Sequence, residues 1–566
     1  MEASKAGVIL HLKRRISRQS SVIVLAILLA FALGIRLYGL SFGLPYRYHI
    51  DETFYVAGAL KMARNRLFVP IITHGPNLFY LLLLAEYAVY FVFMRLAGVV
   101  NSVAAFEQLY RSDPTHFVQL ARLTSSIAGT LTLIPTFLIG RHLYGKNTGL
   151  VAAVLLTFTF QHVRESHYGT PDVFVGLLVA LALLFCVVLA QQGRTRDYVL
   201  SGALGGLATG TKFTNVLLWI PSIIAHFCAA RRKTATNSKD PRTLLLSRNV
   251  LVAMISFGLA FVAAYPNTIL RPAAFIEYVR FLISIGDSGF VTQFRIDPAP
   301  AWLYYPRSLV EWGMAFFMCL FSAFGLLVIA AKRRAIDLLL PTFVAISYVF
   351  LARAPYYASR YLVPLLPALC IFAGVGVDWL VTRLRRYLHI ELAYVLIIGV
   401  SVLQPLAFSL RHDYLLTRTD TRTIAKEWIE ANIAAGTKIA LDWQKHAPPL
   451  RTMEDAFPTT DVQYDIMVAD GIGLPRYSLA DYRAAGVGYL IMSSFIDDQI
   501  LSSPADVEAR RAFHEMLDSS CELVYEVRPY AGANKPPFVF DQIFGPVTAL
   551  WQFERPGPAI KIYRIP

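Results

Sequence analysis

Charge is scarce in this chain. Only 16% of its 566 residues are Asp, Glu, Lys or Arg while 56% are hydrophobic, and the mean hydropathy is +0.49. That balance excludes an ordinary soluble domain and a disordered one alike. Acidic residues are fewer still, 38 against 53 Lys and Arg, leaving a net charge of +15. A basic excess can mark a nucleic-acid partner, but here the Lys and Arg fall in short clusters between hydrophobic runs, the pattern of topology signals, so no nucleic acid is expected. The five cysteines, Cys186, Cys228, Cys319, Cys370 and Cys521, lack metal-ligand spacing, and four lie inside apolar runs where they behave as small hydrophobes. Neither a disulfide framework nor a zinc site is implied. No internal repeat stands out. The N-terminus lacks a small-residue cleavage site, and the apolar run 21–40 behind Lys13, Arg14, Arg15 and Arg18 is too long for a signal core. It reads as an uncleaved first transmembrane helix.

What the chain has instead is apolar runs of spanning length, which takes roughly 20 residues. Candidates are 21–40, 77–97, 117–140, 149–163, 173–190, 198–210, 214–230, 249–268, 308–331, 336–351, 361–380 and 391–410. Charge decides which of them cross. If 77–97 crossed, the basic loop 231–248 and the clusters Lys332-Arg333-Arg334 and Arg383, Arg385, Arg386 would all lie outside, against the positive-inside rule. The expectation is therefore a polytopic α-helical protein of about eleven crossings over 1–410, with 41–116 a long first outer loop carrying juxtamembrane helices. Beyond about Arg411 the texture changes to polar helices near 420–434, 478–484 and 504–518 alternating with strands near 438–443, 488–493, 523–527 and 559–564. This predicts a small extracytoplasmic α/β domain over 411–566.

The outer loops gather most of the polar residues with chemical potential. Asp51 and Glu52 follow the first helix, Asp172 precedes the helix beginning near Val173, and Lys212 and Arg360 stand at two further loops. His49, His74, His167 and the tyrosines Tyr168 and Tyr361 are nearby in the same loops. Carboxylates and cations together at a membrane surface suit transfer of a group off a lipid-borne phosphate. The carboxylate accepts the proton of an attacking hydroxyl, and Arg or Lys holds the phosphate charge that grows as it leaves. Each residue also has a plainer reading. Asp51 and Asp172 suit helix N-caps, Lys212 suits a snorkelling lysine, and the tyrosines suit an interfacial belt. The three histidines share no helical spacing, so no metal site is expected from them.

The order of these motifs resembles a known family. His49-Ile50-Asp51-Glu52 after the first helix, His74-Gly75-Pro76 ahead of an apolar run, His167-Tyr168-Gly169-Thr170-Pro171-Asp172, Gly210-Thr211-Lys212, and Arg360-Tyr361-Leu362-Val363-Pro364 are similar to the outer loops of GT-C glycosyltransferases. The branch holding protein O-mannosyltransferases and lipid A aminoarabinose transferases is the nearest resemblance, and it covers about 20–410. It implies a polyprenyl-phosphate sugar donor, an extracytoplasmic acceptor (protein, envelope glycan or glycolipid) and transfer with inversion. Asp51 would be the base with Glu52 supporting it, Asp172 would help organise the site, and Lys212 and Arg360 would hold the donor phosphate. His74, His167, Tyr168 and Tyr361 would contact substrate. A divalent cation is compatible with the resemblance but not required by it. MIR-type repeats of eukaryotic members are missing, and with no retention signal the expected location is a bacterial plasma membrane, among membrane lipids. The rival expectation is a transporter or flippase of a lipid-linked or anionic substrate, which should show repeats and midplane charges rather than charges on one face.

Overall fold

The computed structural model describes residues 21–64, 77–233, 247–288, 293–450, 463–532 and 534–566. Seven described helices are long and apolar enough to cross a membrane: Leu78–Leu96, Thr115–Tyr144, Pro171–Gln192, Phe213–Arg232, Ala335–Ala352, Ser359–Leu384 and Ile390–Asn432. Shorter apolar helices at Ser21–Leu37, Lys146–Phe158, Arg248–Ala264 and Phe316–Lys332 complete the bundle. Pro171–Gln192 is its centre. Pro171 at the first helical position and a left-handed Gly193 after the last fix its two ends, and most of its side chains are buried. Close helix contact comes from small residues, as expected where lipid supplies no hydrophobic drive between helices. Gly202, Gly206 and Gly210 place one helix against Arg248–Ala264 so closely that added Cβ atoms would collide with the Ala253 and Phe257 carbonyls and the Ala264 side chain.

Two of the apolar runs are not single helices. The run 149–163 breaks at Thr159 (ψ 108°) into Lys146–Phe158 and Phe160–Glu165. The run 308–331 passes through a wide turn at Leu309–Gly313 and a left-handed Ala315 (φ 68°) before Phe316–Lys332. Hydrophobicity persists through both breaks, so composition alone does not signal them.

The helix Asn77–Leu96 has the length of a span, yet its contacts run along one side of the bundle. Phe79 meets Phe174 (6.0 Å between rings), at the start of Pro171–Gln192. Tyr87 donates to the Phe117 carbonyl and Tyr90 packs on the Phe117 ring at 5.4 Å, at the start of Thr115–Leu131. Residues eleven positions apart in this helix thus touch the first turns of two neighbours.

The C-terminal region folds around a five-stranded sheet. In chain order the strands are β1 (Phe294–Arg295), β2 (Lys438–Leu441), β3 (Asp465–Val468), β4 (Tyr489–Ser493), β5 (Ile500–Leu501), β6 (Glu522–Val527) and β7 (Ile560–Arg564). The sheet order is β3-β2-β4-β7-β6, with β2 parallel to β3 and β4, and β7 antiparallel to β4 and β6. Strand alternation sends Ile439, Leu441 and Ile491 to one buried layer under Thr421–Asn432, and Ala440, Leu490 and Met492 to the other under Pro504–Ser520. The helices Thr421–Asn432, Leu479–Ala484 and Pro504–Ser520 and four of the strands fall where the periodicity predicts them. Strand β3 and the separate β1–β5 pair, which ties the loop before residue 301 to this region, are additions.

Candidate active site

The segment after the first helix is held down by Glu52. This carboxylate is fully buried, takes two hydrogen bonds of 2.7 Å from the Arg122 guanidinium and accepts a third, at 2.8 Å, from the Gly169 amide. Arg122 also donates to the Leu40 and Phe42 carbonyls, each at 2.7 Å. One buried bidentate pair therefore joins the end of the first helix, the helix Thr115–Leu131 and the turn before Pro171–Gln192. Arg122 went unremarked in the sequence, although a lone arginine inside an apolar run is itself a signal of function or structure.

Asp51 points elsewhere. Its backbone carbonyl accepts from the Phe54 and Tyr55 amides at the start of Glu52–Arg64, which is the position of a helix cap. Its side chain, 25% exposed, pairs with Arg360 at 2.8 Å. Across the site, Asp172 in the first turn of Pro171–Gln192 pairs with Lys212, which follows the last turn of Thr195–Thr211. Tyr361 stands between the two pairs, with Lys212 Nζ 5.0 Å and Arg360 Cζ 5.6 Å from its ring centre. Two carboxylate–cation pairs thus flank one tyrosine. The Tyr55 phenol feels both carboxylates, and its pKa is pushed well up, chiefly by burial and then by Asp51 and Tyr80.

The remaining sequence candidates are distributed unequally. Tyr361 joins the pairs, as described. His167 is buried to one side, with Nδ1 on the Val163 carbonyl (2.9 Å) and Nε2 on the Tyr38 carbonyl (3.0 Å) and near Asp413 (3.3 Å), so it ties helix ends together rather than facing the pairs. Tyr168 is fully buried, its hydroxyl against His412 and its ring 4.4 Å from the His49 ring. His74 lies outside the described residues.

His49 is the unexplained polar group of the site. Both ring nitrogens are buried without a hydrogen-bond partner among the described residues. Burial, and then the positive charges of Arg360, Arg164 and Arg122, hold its pKa well below the ordinary histidine value, so it is neutral.

The C-terminal region forms part of this site. Phe544 lies under the Arg360 guanidinium at 4.0 Å, and Lys445 Nζ stands 3.4 Å over the Phe54 ring. Asp541 is buried and accepts from the Ser359 amide (3.1 Å), the Ser359 hydroxyl (2.7 Å) and the Tyr304 hydroxyl, immediately before Arg360. Arg164, paired with Glu165, donates to the carbonyls of Asp541, Gly545 and Pro546 and so clamps the turn Phe540–Phe544 in place. Nothing in the local sequence around 541 or 544 distinguishes them; only the tertiary contact does.

Among the described residues, one group has the composition of a metal site: His167, His412 and Asp413, with ligand atoms within 4.8 Å of one another. Their nitrogens already face the Val163, Tyr38, Tyr168 and Asp413 oxygens. The set forms a buried polar tie. Asp51, Glu52 and Asp172 are each matched to a cationic side chain, with which a divalent ion would have to compete.

Residues 117–247 match a family model described as dolichyl-phosphate-mannose-protein mannosyltransferase. No curated protein matches the chain. Among solved structures, ArnT from Cupriavidus metallidurans bound to undecaprenyl phosphate is similar at 13% identity with a TM-score of 0.51, covering 88% of this chain and 96% of that one. The archaeal oligosaccharyltransferase AglB from Archaeoglobus fulgidus, in complex with an inhibitory peptide and a dolichol-phosphate, is similar at 11% identity with a TM-score of 0.52, covering 97% and 89%. The fold is that of the GT-C glycosyltransferases, with a small C-terminal sheet region beside the helical bundle.

Proposed function

We propose that this chain, with its GT-C fold, is a membrane glycosyltransferase that moves a sugar from a polyprenyl-phosphate donor to an extracytoplasmic acceptor, with Asp51 as base. The observation that carries the reading is the pairing of Asp51 with Arg360 and of Asp172 with Lys212 around Tyr361. Two cations standing close together can hold a phosphate, and Asp51, the more exposed of the two carboxylates, is the one the phosphate would displace. The two structural neighbours recorded with undecaprenyl phosphate and dolichol-phosphate lend this donor class support.

In the proposed step the donor phosphate lies between Arg360 and Lys212, and Asp51 is released from its ion pair. The acceptor hydroxyl gives its proton to Asp51 while its oxygen attacks the anomeric carbon from the face opposite the phosphate. The bond from that carbon to the phosphate oxygen breaks, and the electron pair leaves with the lipid phosphate, where the two cations stabilise it. Inversion follows from the opposed faces. Glu52 acts through Arg122 by fixing the loop, and Asp172 by orienting Lys212. The active face and the C-terminal region are assigned to the outside of a bacterial plasma membrane, on the positive-inside pattern of the basic clusters.

The test is turnover of a panel of polyprenyl-phosphate sugars by the purified protein in lipid, wild type beside Asp51→Asn. Release of lipid phosphate that vanishes in the variant supports the reading and identifies the sugar. Equal turnover in the variant would sink the assignment of the base, and donor that is translocated without cleavage would favour a flippase.

A further inference from the structure

A large cavity lies far from the proposed site. It has a volume of about 450 Å³ and is lined by His142, Gln191, Arg231, Arg232 and Arg334, with Leu143 and Ile336 on its apolar side. A volume of this order is that of a small-molecule site, for which about 300–1,000 Å³ is typical. Its level in the membrane follows from one helix. Asp172 is in the first turn of Pro171–Gln192 and Gln191 in the last, so the cavity and the ion pairs are separated by about 28 Å along the axis, close to the thickness of a bilayer core. The same helix-end level is shared by His142, Arg231 and Arg232, and Arg334 lies two residues past the end of Phe316–Lys332.

The charges there are not balanced. Arg334 is neutralised by Asp337 through bonds of 2.6 and 2.7 Å, and it also donates to the Leu143 carbonyl. Arg232 gives one N–H to the Gln191 carbonyl (3.0 Å) and has no acidic partner among the described residues. Arg231 is exposed and makes no ion pair or hydrogen bond among them. The His142 ring is fixed by a reciprocal pair, its Nδ1 on Gln191 Oε1 and Gln191 Nε2 on its own carbonyl, both at 2.9 Å. Two uncompensated guanidinium groups therefore border a concave space whose other wall is apolar.

We propose that this cavity binds the phosphodiester headgroup of an anionic phospholipid, with Arg231 and Arg232 holding the phosphate and an acyl chain following the Leu143–Ile336 wall. Basic pockets between helix ends at headgroup depth take such lipids, and the planar guanidinium of Arg offers two parallel N–H groups to a pair of phosphate oxygens, which Lys does not. The arginines at this position thus do more than set topology. The inference is independent of the chemistry proposed for the other face.

The test is native mass spectrometry of the full-length protein released from detergent and titrated with dioleoyl phosphatidylglycerol or dioleoyl phosphatidylcholine. Wild type should retain one phosphatidylglycerol where phosphatidylcholine is not retained. Arg231→Ala with Arg232→Ala should weaken that binding about 10-fold or more while leaving the melting temperature unchanged. Arg385→Ala with Arg386→Ala, which removes exposed charges beyond the last turn of Leu366–Leu384 and outside the cavity, should bind as wild type does. Equal loss in the two double variants would overturn the site in favour of diffuse charge attraction. Displacement of the lipid by millimolar inorganic phosphate would reassign the cavity to a free anion.

Discussion

Asp51 and Glu52 are neighbours in the chain with different partners, and the difference separates what each substitution does. Asp51 is partly exposed and holds only Arg360, so Asp51→Asn should keep the protein folded while turnover falls about 10²–10⁴-fold, the usual contribution of a general base. Glu52 is the sole acidic partner of a fully buried arginine among the described residues. Glu52→Gln leaves that charge uncompensated, and loss of one partner of a buried pair costs about 3–5 kcal/mol. A lowered melting temperature in detergent, absent in Asp51→Asn, is the expected signature. Residues of this kind are half legible in a sequence. Asp51, Asp172, Lys212 and Arg360 stand out because charges at the ends of apolar runs are conspicuous. Which of them pair is set by tertiary contact and has no linear trace.

At the level of elements, the turn Phe540–Phe544 is the piece that sequence reading could not place. It sits more than 100 residues beyond the last spanning helix, yet Asp541 fixes the backbone immediately before Arg360 and Phe544 covers its guanidinium. Asp541→Ala should lower kcat about 10-fold or more with donor affinity reduced less, since a small misplacement of Arg360 in its proposed role acts on the chemical step. Single-turnover and binding measurements on the same preparation separate the two. In the sheet, Asp442 follows β2 and accepts from the Leu474 and Ser493 amides at 2.9 and 2.8 Å. Burial, the largest influence, raises its pKa to about 7. A carboxyl that binds its proton more tightly when folded favours the folded state less as pH rises from about 4 to 7. Protection of β2 and β4 amides against hydrogen exchange, corrected for intrinsic rates, should therefore fall between pH 5 and 7 in the wild type. In Asp442→Asn it should be flat. Helices and strands of this region were legible because their periods of 3.6 and 2 are distinct. Strand β3 was not, since Asp465–Val468 offers only three apolar residues and its parallel partner β2 is distant in the chain.

Across the whole molecule, the polar chemistry is sorted onto opposite ends of one bundle, carboxylate–cation pairs on one and unpaired arginines on the other. The paired end has a kinetic meaning. On the proposed reading, Asp51 is the base, and while Arg360 holds it one carboxylate oxygen is engaged until an anion takes Arg360. Substrates should then add in a compulsory sequence, donor before acceptor. An unreactive acceptor analogue should inhibit uncompetitively against donor, whereas random addition would make that inhibition noncompetitive. If the proposed roles hold, a stray hydroxyl or water reaching the empty site meets a carboxylate whose negative charge is already shared with Arg360, and is a poor substrate until a sugar donor has bound.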